Sequence, residues 1–71
     1  MRFIRLKEVI ELTGLSRSTI YKYIDDGLFP RSVSLGGRAV AWVEQEVHDW
    51  ILARIEERDQ EKPAFSDRAV A

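Results

Sequence analysis

Two short amphipathic runs separated by Gly14-Leu15-Ser16 constrain this chain more than any other feature. In the first, Leu6, Val9, Ile10 and Thr13 fall on one helical face, with Glu8 and Glu11 opposite. Gly14 follows at once, where a left-handed C-terminal cap would stop the helix. Ser16 then stands where an N-cap is needed, its hydroxyl placed to accept a backbone N–H two or three residues on. The second run, Arg17 to Asp26, puts Ile20, Tyr23 and Ile24 on one face and Ser18, Tyr21 and Lys22 on the other. Gly27 ends it. Two helices joined so tightly, with Leu15 to fill the space between them, predict a helix-turn-helix.

The remainder of the chain is arranged around that unit. Residues 2–5, Arg-Phe-Ile-Arg, are β-prone and read as a short edge strand. Leu28-Phe29-Pro30 closes the helical stretch. Ser32–Leu35 and Ala39–Val43 then predict two strands around Gly36-Gly37-Arg38, since such turns demand positive φ angles that glycine supplies. A hairpin directly after a helix-turn-helix is a wing. Residues 44–58 predict the longest helix, with Val47, Trp50, Ile51 and Ile55 as its apolar stripe. Its acids come early and Arg54 and Arg58 late, in agreement with the helix dipole. From Asp59 the periodicity fades and Pro63 intervenes, which predicts a mobile tail over 59–71 behind a single domain over 1–58. The expected fold is mainly α with a small β-hairpin, a winged helix-turn-helix.

Composition narrows the functional classes. Seventy-one residues leave little volume for a deep substrate pocket, because a chain of this size buries only roughly 60% of its unfolded surface. The absence of Cys removes disulfides, thiolate zinc sites and cysteine nucleophiles together. His48 is alone among acids and reads as a solvated side chain rather than a metal ligand. Glu44, Glu46 and Asp49 suit a helix N-terminus better than a catalytic carboxylate pair. No nucleophile–base pair is evident, so neither an enzyme nor a cofactor site is expected. MRFIRLKEV lacks the apolar run of a signal peptide. No stretch approaches the roughly 20 apolar residues that span a bilayer. The expectation is a cytoplasmic, nucleoid-associated protein.

A net charge of −1 argues weakly against nucleic acid until its distribution is read. Residues 1–43 hold seven cations against four acids, a balance of +3. Residues 44–71 hold four cations against eight acids, a balance of −4. The front half is the half that could face phosphates. There, Ser16-Arg17-Ser18-Thr19 brings short donors and a cation to a helix N-terminus, which is what a recognition helix requires. A packing-only αα-hairpin would show a mixed Glu/Lys solvent face, whereas this one is cationic and hydroxyl-rich.

The same residues carry a family resemblance. Leu6-Lys7-Glu8-Val9, Thr13 through Tyr21, Phe29-Pro30, Leu35 through Trp42, and Val47 with Trp50-Ile51 resemble the AlpA family of phage-type transcriptional regulators, of the excisionase and MerR-like winged-helix group. The likeness runs from about Phe3 to Arg54. It implies a regulator of prophage or mobile-element genes whose partner is double-stranded DNA. The DNA-facing residues it implies here are Ser16, Arg17, Ser18, Thr19, Tyr21 and Lys22, and Arg38 joins them by its own place at the wing tip.

Residue chemistry assigns their roles only in part. Arg17 suits guanine O6/N7 or a phosphate, and Lys22 a phosphate. Tyr21 suits a phosphate or sugar, or else packing against the wing. Arg38, beside Gly36-Gly37, suits the minor groove or adjacent backbone, or is a solvated hairpin arginine. Trp42 and Trp50 lie on apolar faces and read as core. Leu52 lies off the stripe and is either an isolated exposed side chain or part of a seam with a second copy. An excisionase-like factor that bends attachment-site DNA for a recombinase uses the same surface. A protein-interaction adaptor, engaging RNA polymerase or a recombinase through the acidic helix, is the alternative from another class.

Overall fold

A computed structural model describes residues 1–61. The elements run β1 (Phe3–Ile4), α1 (Leu6–Thr13), α2 (Arg17–Asp25), β2 (Val33–Gly36), β3 (Ala39–Val43) and α3 (Glu44–Glu61). This is the expected winged helix-turn-helix, with the N-terminal strand recruited into the wing.

Local chemistry sets the boundaries of the first two helices. α1 ends at Gly14, φ +75°, whose N–H donates to the Ile10 carbonyl at 2.8 Å. The Thr13 hydroxyl donates to the Val9 carbonyl at 2.8 Å and accepts from the Leu15 N–H at 3.1 Å, so the turn is bonded from inside. α2 starts on its Ser16 cap and stops at Asp25, one residue short of the predicted end. There Gly27 (φ +74°) donates to the Ile24 carbonyl at 3.0 Å, and Leu28 to the Tyr23 carbonyl at 2.7 Å. That paired arrangement is a Schellman cap, and its left-handed residue is the one that demands glycine.

The sheet has the order β1-β3-β2, antiparallel throughout. Phe3 faces Val43 and Ile4 faces Trp42 on one side of β3. On the other side Val33 faces Ala41, Ser34 faces Val40 and Gly36 faces Ala39. The register shifts between Ser34 and Gly36, leaving Leu35 as a bulged residue. Gly37, φ +56°, and Arg38 form the two-residue loop that closes the hairpin.

Ile4, Val9, Ile20, Phe29, Trp42 and Val47 form one buried cluster, drawn from both front helices, two strands, the loop and α3. Leu6, Ile10, Leu15, Tyr23, Ile24, Val40, Trp50 and Ile51 pack around it, half-buried. Each fully buried side chain of this size contributes roughly 1.5–3 kcal/mol. The two indoles fasten the α2–β2 connection: Trp42 Nε1–H donates to the Pro30 carbonyl at 3.1 Å, and Trp50 Nε1–H to the Leu28 carbonyl at 2.7 Å. Phe29 sits between those anchors, buried, its ring edge-on to Trp50 at 4.9 Å. Trp42 is fully buried, as expected; Trp50 is only half-buried.

The N-terminus is tied to α3 by Arg2. Its carbonyl accepts the Glu44 N–H at 2.8 Å, and its guanidinium reaches Glu8 at 2.6 Å and Glu44 at 3.3 Å. Glu44 first, then Glu8, holds the Arg2 pKa above its ordinary value.

The rear helix departs from expectation in two ways. Ile55, predicted on the apolar stripe, is 43% exposed. Within α3, the hydrophobic core is built from the first turns, through Val47, Trp50 and Ile51. α3 also continues past the predicted end at Arg58 to Glu61. Asp59, Gln60 and Glu61 carry no helix-breaking residue and extend a helix already formed. The rest of the expected tail, 62–71, lies outside the described residues. Among the described residues no helix is long and apolar enough to cross a membrane.

Candidate nucleic-acid interface

The candidate residues are built on the N-terminal turns of α2 and on the hairpin tip. Ser16 is the N-cap: its hydroxyl accepts the Thr19 N–H at 3.1 Å and donates to Thr19 Oγ1 at 2.9 Å. The reciprocal contact satisfies a helix-end donor and locks the entry to α2. It uses the Ser16 proton, so Ser16 shapes the helix start, while the Thr19 hydroxyl keeps its own proton to donate. The Arg17 and Ser18 N–H groups, ahead of that bond, find no acceptor among the described residues. Ser18 itself is exposed.

Arg17 and Tyr21 are one turn apart and lie side by side. The Arg17 guanidinium carbon lies 5.9 Å from the centroid of the Tyr21 ring. Tyr21 in turn sets its ring edge-on to Trp42, with centroids 6.3 Å apart at 65°. Both alternatives raised for Tyr21 therefore bear on the same side chain: it packs on the wing strand while 37% of it stays exposed. Lys22 is exposed and pairs with Asp26 at 3.5 Å. An ion pair so open to water contributes little and yields readily to a competing anion.

Arg38 is exposed on the hairpin loop. It shares no hydrogen bond, ion pair or ring contact with α2 among the described residues. The structure thus joins Ser16 to Thr19 and Arg17 to Tyr21, and leaves Arg38 on a separate projection. Val33 and Leu35 are exposed on the same hairpin.

Four cations of the front half stand outside the predicted set, and all but Arg2 lack an ion pair among the described residues. Arg5, Lys7 and Arg31 are exposed and, like Arg17 and Arg38, form no salt bridge among the described residues. Their signal was present in the +3 balance of the front half. Helix spacing alone could not separate them from Arg2, whose charge is spent on Glu8 and Glu44. By contrast, Arg54 and Arg58 of α3 both pair with acids on their own helix, Glu57 and Asp59. Among the described residues, the arginines and lysines without an ion pair all lie within residues 1–43.

Comparison with known proteins bears on what such a front is for. A family model described as "Prophage CP4-57 regulatory protein (AlpA)" matches residues 2–55. The chain belongs to the AlpA family. The AlpA match contains both front helices, the whole sheet and the α3 residues that reach the core, with every candidate from Ser16 to Arg38. One relative is uncharacterized protein ORF88 of Enterobacteria phage P4, 57% identical over 54 residues, or 76% of this chain. The chain spans 61% of that phage protein's length. A second AlpA relative, the DNA-binding transcriptional activator AlpA of Escherichia coli (strain K12), is 37% identical over 60 residues. That match covers 76% of this chain and 86% of the other.

Proposed function

We propose that this chain is a sequence-specific DNA-binding transcriptional regulator of prophage or mobile-element genes, acting without chemistry of its own. The observation that supports it best is an exposed, unpaired Arg17 at the start of the second helix of a capped helix-turn-helix. The name of the Escherichia coli relative, a DNA-binding transcriptional activator, agrees with that reading.

In this reading α2 enters the major groove by its N-terminal turn, where side chains come nearest to base edges. Arg17 reads a base, and Ser18 with the free N–H groups of the first turn holds a phosphate. Lys22 exchanges Asp26 for a phosphate. Arg38 follows the adjacent backbone or minor groove, where sequence information is poor. Ser16 and Thr19 keep the turn in shape. The partner is double-stranded DNA; RNA polymerase, a recombinase or a second copy of the chain on DNA are the protein partners such a regulator engages. The cytoplasm is where it would work.

Binding titrations across a salt series test the proposal. With about three to five phosphate contacts, the log–log slope should lie near −3 to −5 per monomer. Neutralising Arg54 and Arg58 should leave it unchanged, since both stand on α3, outside the α2 and hairpin residues that form the candidate interface. A flat slope, or equal loss on neutralising those two, overturns the proposal.

A further inference from the structure

We infer that Tyr21 is a positioning residue, a ring platform that holds the Arg17 guanidinium in place for base reading; the inference rests on the DNA-binding proposal. Three contacts form a continuous chain. Trp42 is fully buried and its ring nitrogen donates to the Pro30 carbonyl at 3.1 Å, so its position is fixed by both packing and a hydrogen bond. Tyr21 lies edge-on to that indole, a contact that favours this ring orientation over others. Arg17, one helical turn earlier, lies with its guanidinium 5.9 Å from the Tyr21 centroid, within cation–π range.

The contact matters because nothing else restrains Arg17. It has no acidic partner among the described residues, and its side chain is exposed. A long exposed arginine ordinarily samples many rotamers and must lose them on binding. A ring beneath it removes part of that loss in advance while leaving all five donors available, which a carboxylate partner would not. The aromatic face, rather than the phenol hydroxyl, is then the working part of Tyr21. Buried Trp42 thereby couples wing strand β3 to the reading end of α2 without touching DNA.

The test compares Tyr21→Phe, Tyr21→Leu and Arg17→Ala, singly and combined. The probes are a duplex selected from random DNA by the wild-type protein, its single-base variants, and random duplex. Tyr21→Phe should retain affinity and base preference within about twofold, because the platform survives. Tyr21→Leu should weaken the selected site about three- to tenfold, and most of that loss should vanish in the Arg17→Ala background. Equal losses for Phe and Leu would make the hydroxyl the contact and overturn the inference. So would a Leu loss that is undiminished without Arg17. A measurement on the free wild-type protein needs no variant to fold: nitrogen relaxation of the arginine Nε–H groups should show Arg17 more ordered than Arg38. Equal order overturns the platform. Binding to no duplex at all would instead defeat the DNA-binding proposal, and the relaxation result would still judge the contact.

Discussion

Replacing Trp42 by alanine removes a fully buried side chain that joins the sheet to α2 and to the loop after it. Trp42 is fully buried, pairs with Ile4 across the sheet, meets Tyr21 of α2 and donates to the Pro30 carbonyl of the loop. A buried large aromatic truncated to alanine costs about 3–5 kcal/mol through lost transfer free energy and the cavity left behind. Losing the indole donor adds about 1 kcal/mol for the bond to Pro30. A domain of this length has a total stability of about 4–10 kcal/mol, so Trp42→Ala should be largely unfolded at 37 °C. Trp50 offers the control. It is half-buried, and its ring is partly covered by Arg54, 5.3 Å from the centroid. Trp50→Ala should therefore cost less, about 2–3 kcal/mol, most of it from Phe29 packing and the bond to Leu28. Urea unfolding followed by circular dichroism measures both, with the slope checked for constancy between variants. A Trp42→Ala midpoint equal to or above that of Trp50→Ala would show that the core is organised around α3 instead, and would refute the reasoning.

Other expectations concern single functions of single residues. Arg17→Ala should weaken the selected site by about 1–3 kcal/mol and relax preference at one base pair, whereas Arg38→Ala should weaken all sequences more evenly and lower the salt slope by about one. Titrations on single-base variants decide this, and an exchange of the two phenotypes would exchange the assignments. Ser16→Ala should lower stability by about 1 kcal/mol through loss of the α2 cap, a change that urea unfolding reads directly. Gly27→Ala should destabilise by about 1 kcal/mol although its Cβ would meet nothing within 4 Å, because the cost is the left-handed φ of +74° alone. A neutral result would mean that the Schellman turn relaxes to another cap.

Much of this architecture is decided locally, which is why it could be read along the chain. Gly14 and Gly27 stand where helices stop, and Ser16 stands where the next begins, because caps are settled by neighbours a few residues apart. The same holds for the hairpin, where glycines at 36 and 37 carry the positive φ angles that close it. The exposed cations of the candidate interface were also visible as a charge excess in the front half. Which of them are free was not visible. Arg2 and Arg17 look alike in sequence, yet Glu44, forty-two positions away, claims Arg2.

Phe29 was read as part of a helix terminator and is a core residue, since Trp42 and Trp50 arrive from β3 and α3 to pin the loop on either side of it. Ile55 lies on the same helical stripe as Val47 and Ile51 and is exposed, because periodicity records a helix's own faces but not where its neighbours end. Tyr21 shows the division best. Its spacing from Arg17 follows from the helical repeat and was determined by sequence alone, whereas its contact with Trp42 depends on the fold bringing a strand residue twenty-one positions away to α2. Cap chemistry and helix spacing act within a few residues, so the sequence by itself determined the winged helix-turn-helix. Free cations, buried rings and the platform under Arg17 depend on segments far apart in the chain, and only tertiary packing decided them.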